Sequence, residues 1–122
     1  MIANIQTVAV HVSDQKEALR FYTEKLGFKV LRTESMGPDG TWVEVAPRGA
    51  LSRVVIYPRT LMKDWEYRRP SIMFSREDIE ATYRELSRRG VKFTQVPKRM
   101  PWGTFAQFVD LDGNEFVLTE GT

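Results

Sequence analysis

The first run of the chain, NIQTVAVHV, alternates by residue. Val8, Val10 and Val12 fall on one side, and Thr7, Ala9 and His11 on the other, which predicts a half-buried strand. The period then changes. In DQKEALRFYTEKLG, Ala18, Leu19, Tyr22 and Leu26 line one helical stripe, Asp14 and Glu17 have capping-box spacing, and Gly27 ends the helix. Three strands are predicted next: FKVLRTE, TWVEVA after a PDG turn, and SRVVIYP.

The second half repeats this order. SIMFS alternates, with Ile72 and Phe74 on one side and Ser71, Met73 and Ser75 on the other. Ser75 and Asp78 are cap candidates for a helix whose stripe is Ile79, Tyr83 and Leu86, closed by Gly90. Strands VKFTQV, TFAQFVD and NEFVLTE follow, the last pair joined by an LDGN turn. LGFKV and RGVKF punctuate the two helices alike. The simplest reading is one α+β domain over 1–122 built from two βαβββ units, about 3–58 and about 70–120, with a linker of about 58–69.

Four strands and one helix per unit leave one sheet face without a helix. The helix-facing side is the more apolar: Val8, Val10, Val12, Ile72, Phe74, Phe116 and Leu118. The other side mixes polar and bulky groups (Thr7, His11, Trp42, Glu44, Ser71, Glu115), the composition of a concave small-molecule cleft. Met73 and Val117 belong to the same candidate lining, and Trp102 in MPWG is placed at its rim. Gln107 is a further polar liner, although Phe105 and Phe108 leave the parity of that strand open. Arg32, Arg53 and Glu115 are candidates to orient a charged ligand, but Arg53 has the opposite parity to Ile56 and is expected to face away.

Composition narrows the function. The chain has 122 residues, 42% hydrophobic and 28% charged, the profile of one globular domain, and no window of eighteen apolar residues suggests a membrane span. The absence of cysteine excludes disulfides, thiolate metal sites and a cysteine nucleophile. Eighteen basic and sixteen acidic residues are interleaved rather than clustered, so no nucleic-acid partner is expected. No signal peptide is read in MIANIQTVAV, and the expected location is cytoplasmic.

The pattern VxVSDxxxALxFYxxxLGF from Val10 to Phe28, the helix-Gly-strand of the second unit and the ending PWGTFAQFVDLDGNEFVL resemble the vicinal oxygen chelate superfamily, the glyoxalase, bleomycin-resistance and extradiol-dioxygenase group. The resemblance spans nearly the whole chain. It implies the glyoxalase/bleomycin-resistance/dioxygenase fold, a curved mixed sheet with a concave cleft, and a homodimer. In metal-dependent members it also implies ligands on the first, fourth, fifth and eighth strands. Carried onto this chain, those positions fall on Thr7, Ile56, Ser71 and Val117. Valine and isoleucine have no donor atom, and neutral hydroxyls are poor ligands for a transition metal. No metal and no other cofactor is therefore expected.

His11, the one histidine, lies four residues beyond the ligand position. Three readings stay open for it: a neutral histidine lining the sheet, a polar contact or base toward a ligand, and a member of a displaced metal site with Glu44 and Glu115. Two functions follow. The first is a metal-independent, homodimeric binder of a small organic molecule, of the drug-sequestering kind. The second is a lyase, isomerase, thiol transferase or dioxygenase of the same superfamily using a displaced metal, or His11 or Glu44 as base. A domain that only dimerises is a third.

Overall fold

The structure, a computed structural model, describes residues 1–120. It divides into two compact units, residues 1–70 and the chain from Ser71 onward.

In the first unit, β1 (Thr7–Val12) leads into α1 (Gln15–Arg20), followed by β2 (Lys29–Ser35), β3 (Thr41–Ala46) and β4 (Arg53–Pro58). The spatial order is β1-β4-β3-β2, with β1 parallel to β4 and the other pairs antiparallel. Asp14 caps α1, its carboxylate accepting from the Lys16 and Glu17 amides. A single π turn, Phe21–Lys25, then extends the helix. Ala18, Phe21 and Tyr22, spaced i, i+3 and i+4, enter the core together. The stripe expected from a 3.6-residue period included Leu19 and Leu26, which are only half-buried, and omitted Phe21.

Gly27, at φ 75°, turns the chain into β2, and Gly90, at φ 92°, does the same after the second helix. The repeated LGF and RGV punctuation thus has one cause: a left-handed residue that ends each helix.

The second unit has β5 (Ile72–Arg76), α2 (Ile79–Arg88), β6 (Lys92–Met100), β7 (Gly103–Val109) and β8 (Glu115–Glu120), in the order β5-β8-β7-β6. Asp78, not Ser75, caps α2, accepting from the Ala81 amide. Tyr83 lies edge-on to Phe93 at 4.8 Å, and Phe74, Phe108 and Phe116 stack beneath the helix. β6 runs on to Met100, past the predicted VKFTQV, because Lys98, Arg99 and Met100 pair with Phe105, Thr104 and Gly103. The connection to β7 is the two-residue turn Pro101–Trp102.

Strand register sorts each sheet into two faces. In the first, Val10 pairs with Ile56, Ile56 with Val43, and Val45 with Val54. These residues are all buried with Ala18, Phe21 and Tyr22, which makes this the core face. Gln15 ties the helix to the sheet: its amide donates to the Thr41 and Ile56 carbonyls and accepts from the Thr41 amide. Among the described residues, no helix is long and apolar enough to cross a membrane.

Candidate functional site

The helix-free face of the first sheet is built from three cross-strand rows, set by the same register. His11 pairs with Tyr57, and the Trp42 ring stands edge-on to Tyr57 at 6.3 Å. His11 is itself edge-on to Tyr57 at 5.8 Å, so three rings run across β1, β4 and β3. The next row is Ala9, Val55, Glu44 and Arg32. The third begins with Thr7 beside Arg53. Rows two residues apart are separated by roughly 6.6 Å of strand, so an aromatic row, a row of Ala9 and Val55 with the charged pair Glu44 and Arg32, and a polar row follow one another.

Depth divides these residues. Glu44 is 1% exposed and His11 7%, and Val55 is buried with them. Thr7, Ala9, Trp42, Arg53 and Tyr57 are half-buried and form the layer that a solute meets. A β-strand sends alternate side chains to one face, but neighbours of different length decide which of them reach the surface.

Glu44 is held from several directions. The Trp42 indole Nε1 donates to its Oε2 at 2.7 Å, and Arg53 Nη1 to its Oε1 at 2.8 Å. Arg32 Nη1 lies 3.6 Å from Oε2, while its other terminal nitrogen engages Glu34. The Trp42 hydrogen bond, followed by the one from Arg53, lowers the Glu44 pKa below its ordinary 4.5, against the opposing effect of burial. Glu44 is therefore a fixed carboxylate whose two oxygens are both engaged. This weighs against the alternative in which Glu44 is a general base, a role that needs a free oxygen and a pKa near the working pH.

Two expectations are corrected on this sheet. Ile56 pairs with Val10 and Val43 and is wholly buried on the core side, so it does not join Thr7, His11, Trp42 and Glu44. Arg53, expected to face away, sits among them. Within RVVIYP, Arg53, Val55 and Tyr57 fall on one side and Val54 and Ile56 on the other, and the pairing with β1 and β3 decides which side faces the core. Tyr57, not named from the sequence, lies on the side of Arg53 and Val55.

In the second unit, Met73 pairs with Val117 and Val117 with Gln107. Phe108 pairs with Phe116 on the buried side, which resolves the open parity: Phe105 accompanies Gln107, and Phe108 belongs to the core. Gln107 Nε2 donates to Glu115 Oε2 at 2.8 Å. Met73, Gln107, Glu115 and Val117 thus share one face, of which Met73 is 58% exposed. Ser71 precedes β5 and is exposed. Trp102, on the β6–β7 turn, is 70% exposed.

The residues at the ligand positions do not suit a divalent metal. Ile56 points into the core, Val117 has no donor atom, and Thr7 and Ser71 offer only neutral hydroxyls. Among the described residues, no three His, Asp or Glu side chains gather where an ion would sit. In particular, the carboxylate of Glu44 is already bound to Trp42 and Arg53.

Comparison with known proteins places these observations. Residues 4–118 match the family described as the Glyoxalase/Bleomycin resistance protein/Dioxygenase superfamily. The chain is 51% identical over 120 residues to the uncharacterized protein YetH of Bacillus subtilis (strain 168), covering 98% of this chain and all of YetH. The crystal structure of TnmS3, an antibiotic binding protein from Streptomyces sp. CB03234, is 34% identical with a TM-score of 0.84, covering 99% of this chain and 98% of that one. The crystal structure of UcmS2 is 32% identical with a TM-score of 0.85, covering 99% of this chain and all of that one.

Proposed function

The chain belongs to the Glyoxalase/Bleomycin resistance protein/Dioxygenase superfamily, and on that footing we propose that it is a metal-independent binder of a small aromatic organic molecule, working as a homodimer. The observation that carries this reading is the half-buried ring pair Trp42 and Tyr57 on the helix-free face, beside a Glu44 that is held as a carboxylate by its neighbours. Ring faces and edges held in place give a flat ligand contact area at low entropic cost, with about 0.5–1.5 kcal/mol per aromatic pair beyond area burial. The likeness to TnmS3, itself described as an antibiotic binding protein, supports the same reading.

The donor chemistry at Thr7, Ile56, Ser71 and Val117 supports independence from a metal, and the engaged oxygens of Glu44 weigh against the superfamily's lyase and isomerase chemistry with Glu44 as base. The candidate contacts are Thr7, Trp42, Arg53 and Tyr57 on the helix-free face of the first unit; the face of Met73, Gln107, Glu115 and Val117 in the second unit is a separate candidate surface.

The test is a thermal-shift and intrinsic-fluorescence screen of polycyclic aromatic compounds, including antibiotics, run with and without EDTA. Saturable binding that quenches tryptophan emission, weakens in Trp42→Ala and ignores chelator is expected. Binding that needs added manganese, nickel or zinc, or no binding by any aromatic class, refutes the reading. Light scattering across a concentration series tests the dimer, and a monomer at micromolar concentration removes that part.

A further inference from the structure

We propose that Arg53 is the polar anchor of this face and receives an anionic oxygen, a carboxylate or an ionised phenol, of the aromatic ligand. The inference rests on the binding reading above and assigns the charge class of the ligand. Arg53 stands at the start of β4 beside Thr7, and its side chain reaches along the sheet to Glu44 in the next row. Glu44 engages one terminal nitrogen, whereas a guanidinium has five N–H donors. The Arg53 side chain is 39% exposed, while the Glu44 side chain that grips it is 2% exposed. The buried carboxylate therefore orients the guanidinium, which is left in part open to solvent.

Such an arginine is pre-organised. Its rotamer is already selected, so less freedom is lost when an anion binds, and its planar fork matches two oxygens at once. Electrostatics leave the anchor available: the guanidinium groups of Arg32 and Arg53 balance the carboxylates of Glu34 and Glu44, so the cluster carries no net negative charge to repel an anion.

Spacing points the same way. The Arg53 guanidinium lies by the Glu44 row, about one row (roughly 7 Å) from the ring row of Trp42 and Tyr57. That separation suits a carboxylate attached directly to a fused aromatic body. Thr7, in register with Arg53 and half-buried, offers a hydroxyl to the second oxygen. Glu44 is in this view a positioning residue, acting through Arg53 and Trp42 without touching the ligand.

The experiment compares anthracene-2-carboxylate with anthracene-2-carboxamide, which share a ring body and differ in charge. Affinities are measured by calorimetry for the wild type, Arg53→Gln and the double variant Arg53→Gln/Glu44→Gln. The double variant removes the partner charge too, so no unpaired buried carboxylate threatens folding. The wild type is expected to prefer the carboxylate by about tenfold or more, and the ratio falls to about one in both variants. Equal affinity of the wild type for the two probes overturns the anchor role while leaving aromatic binding in place. A preference that survives in the double variant does the same. Failure of the wild type to bind either probe overturns the aromatic-binding reading and the anchor with it.

Discussion

Replacing Trp42 by Phe tests the network that organises the candidate face. The ring is kept in large part, but the Nε1–H that donates to Glu44 at 2.7 Å is lost. Glu44 is 1% exposed, so water has little access to the vacated oxygen, and the remaining cation on that oxygen, Arg32, stands 3.6 Å away. A hydrogen bond to a buried charge contributes about 1.5–3 kcal/mol, and the smaller ring adds a modest packing loss. Destabilisation of about 2 kcal/mol at neutral pH is expected. For a domain of this size that lowers Tm by about 8 °C.

The pH dependence gives the sharper check. The folded-state pKa of Glu44 lies below its ordinary 4.5, chiefly through Trp42 and then Arg53. Its contribution is therefore fully present above the unfolded-state pKa and is lost as pH falls through the folded value. Trp42→Phe narrows the gap between the two states, so its deficit is largest at neutral pH and shrinks in acid. Urea unfolding at several pH values, on the single variants Trp42→Phe and Glu44→Gln and on their double, closes a double-mutant cycle. The coupling is expected at about 1.5–2 kcal/mol near pH 7. A coupling below about 0.5 kcal/mol, or a deficit independent of pH, refutes the claim that Trp42 stabilises the ionised Glu44.

Gln15→Ala removes a side chain that bridges α1 to β3 and β4, and with it three hydrogen bonds to the Thr41 and Ile56 backbone; a loss of about 2 kcal/mol is expected in denaturant unfolding. Ile56→Ala, wholly buried on the core face, should cost about 3 kcal/mol; if it instead left stability intact while altering ligand affinity, the facing assigned to β4 would be wrong. Asp78→Ala removes the α2 cap that accepts from Ala81 and should cost about 1 kcal/mol, read as a Tm shift of about 4 °C. Gly40→Ala brings a Cβ to 2.7 Å from the Pro58 ring, and the forced displacement should destabilise by about 1–2 kcal/mol with amide shifts around Thr41 in an HSQC spectrum.

Local signals determined much of this protein. Alternation placed the first and fifth strands, β-rich runs and turn punctuation the other six, helical periodicity and Asp14, Gly27, Asp78 and Gly90 delimited the helices, and the repeat of the two units was readable because each element obeys short-range rules. Strand parity by itself puts Thr7 with His11 on one side of the first strand and Trp42 with Glu44 on one side of the third, since a strand's side chains alternate whatever it pairs with. Three things needed the tertiary structure. The π turn over Phe21–Lys25 changes the period beyond Tyr22, and Leu26, expected on the stripe, is only half-buried. The facing of Ile56 and Arg53 depends on which residues of β1 and β3 stand opposite β4, and register is a property of the pairing rather than of one strand. The state of Glu44 was out of reach for the same reason. Its neighbours in sequence mark it as a polar residue on a sheet, but its charge is stabilised by Trp42, by Arg53 from the adjacent strand and by Arg32 from the strand on its other side. A carboxylate's chemistry is decided by the donors within about 3 Å of its oxygens, and here only the folded sheet brings them together.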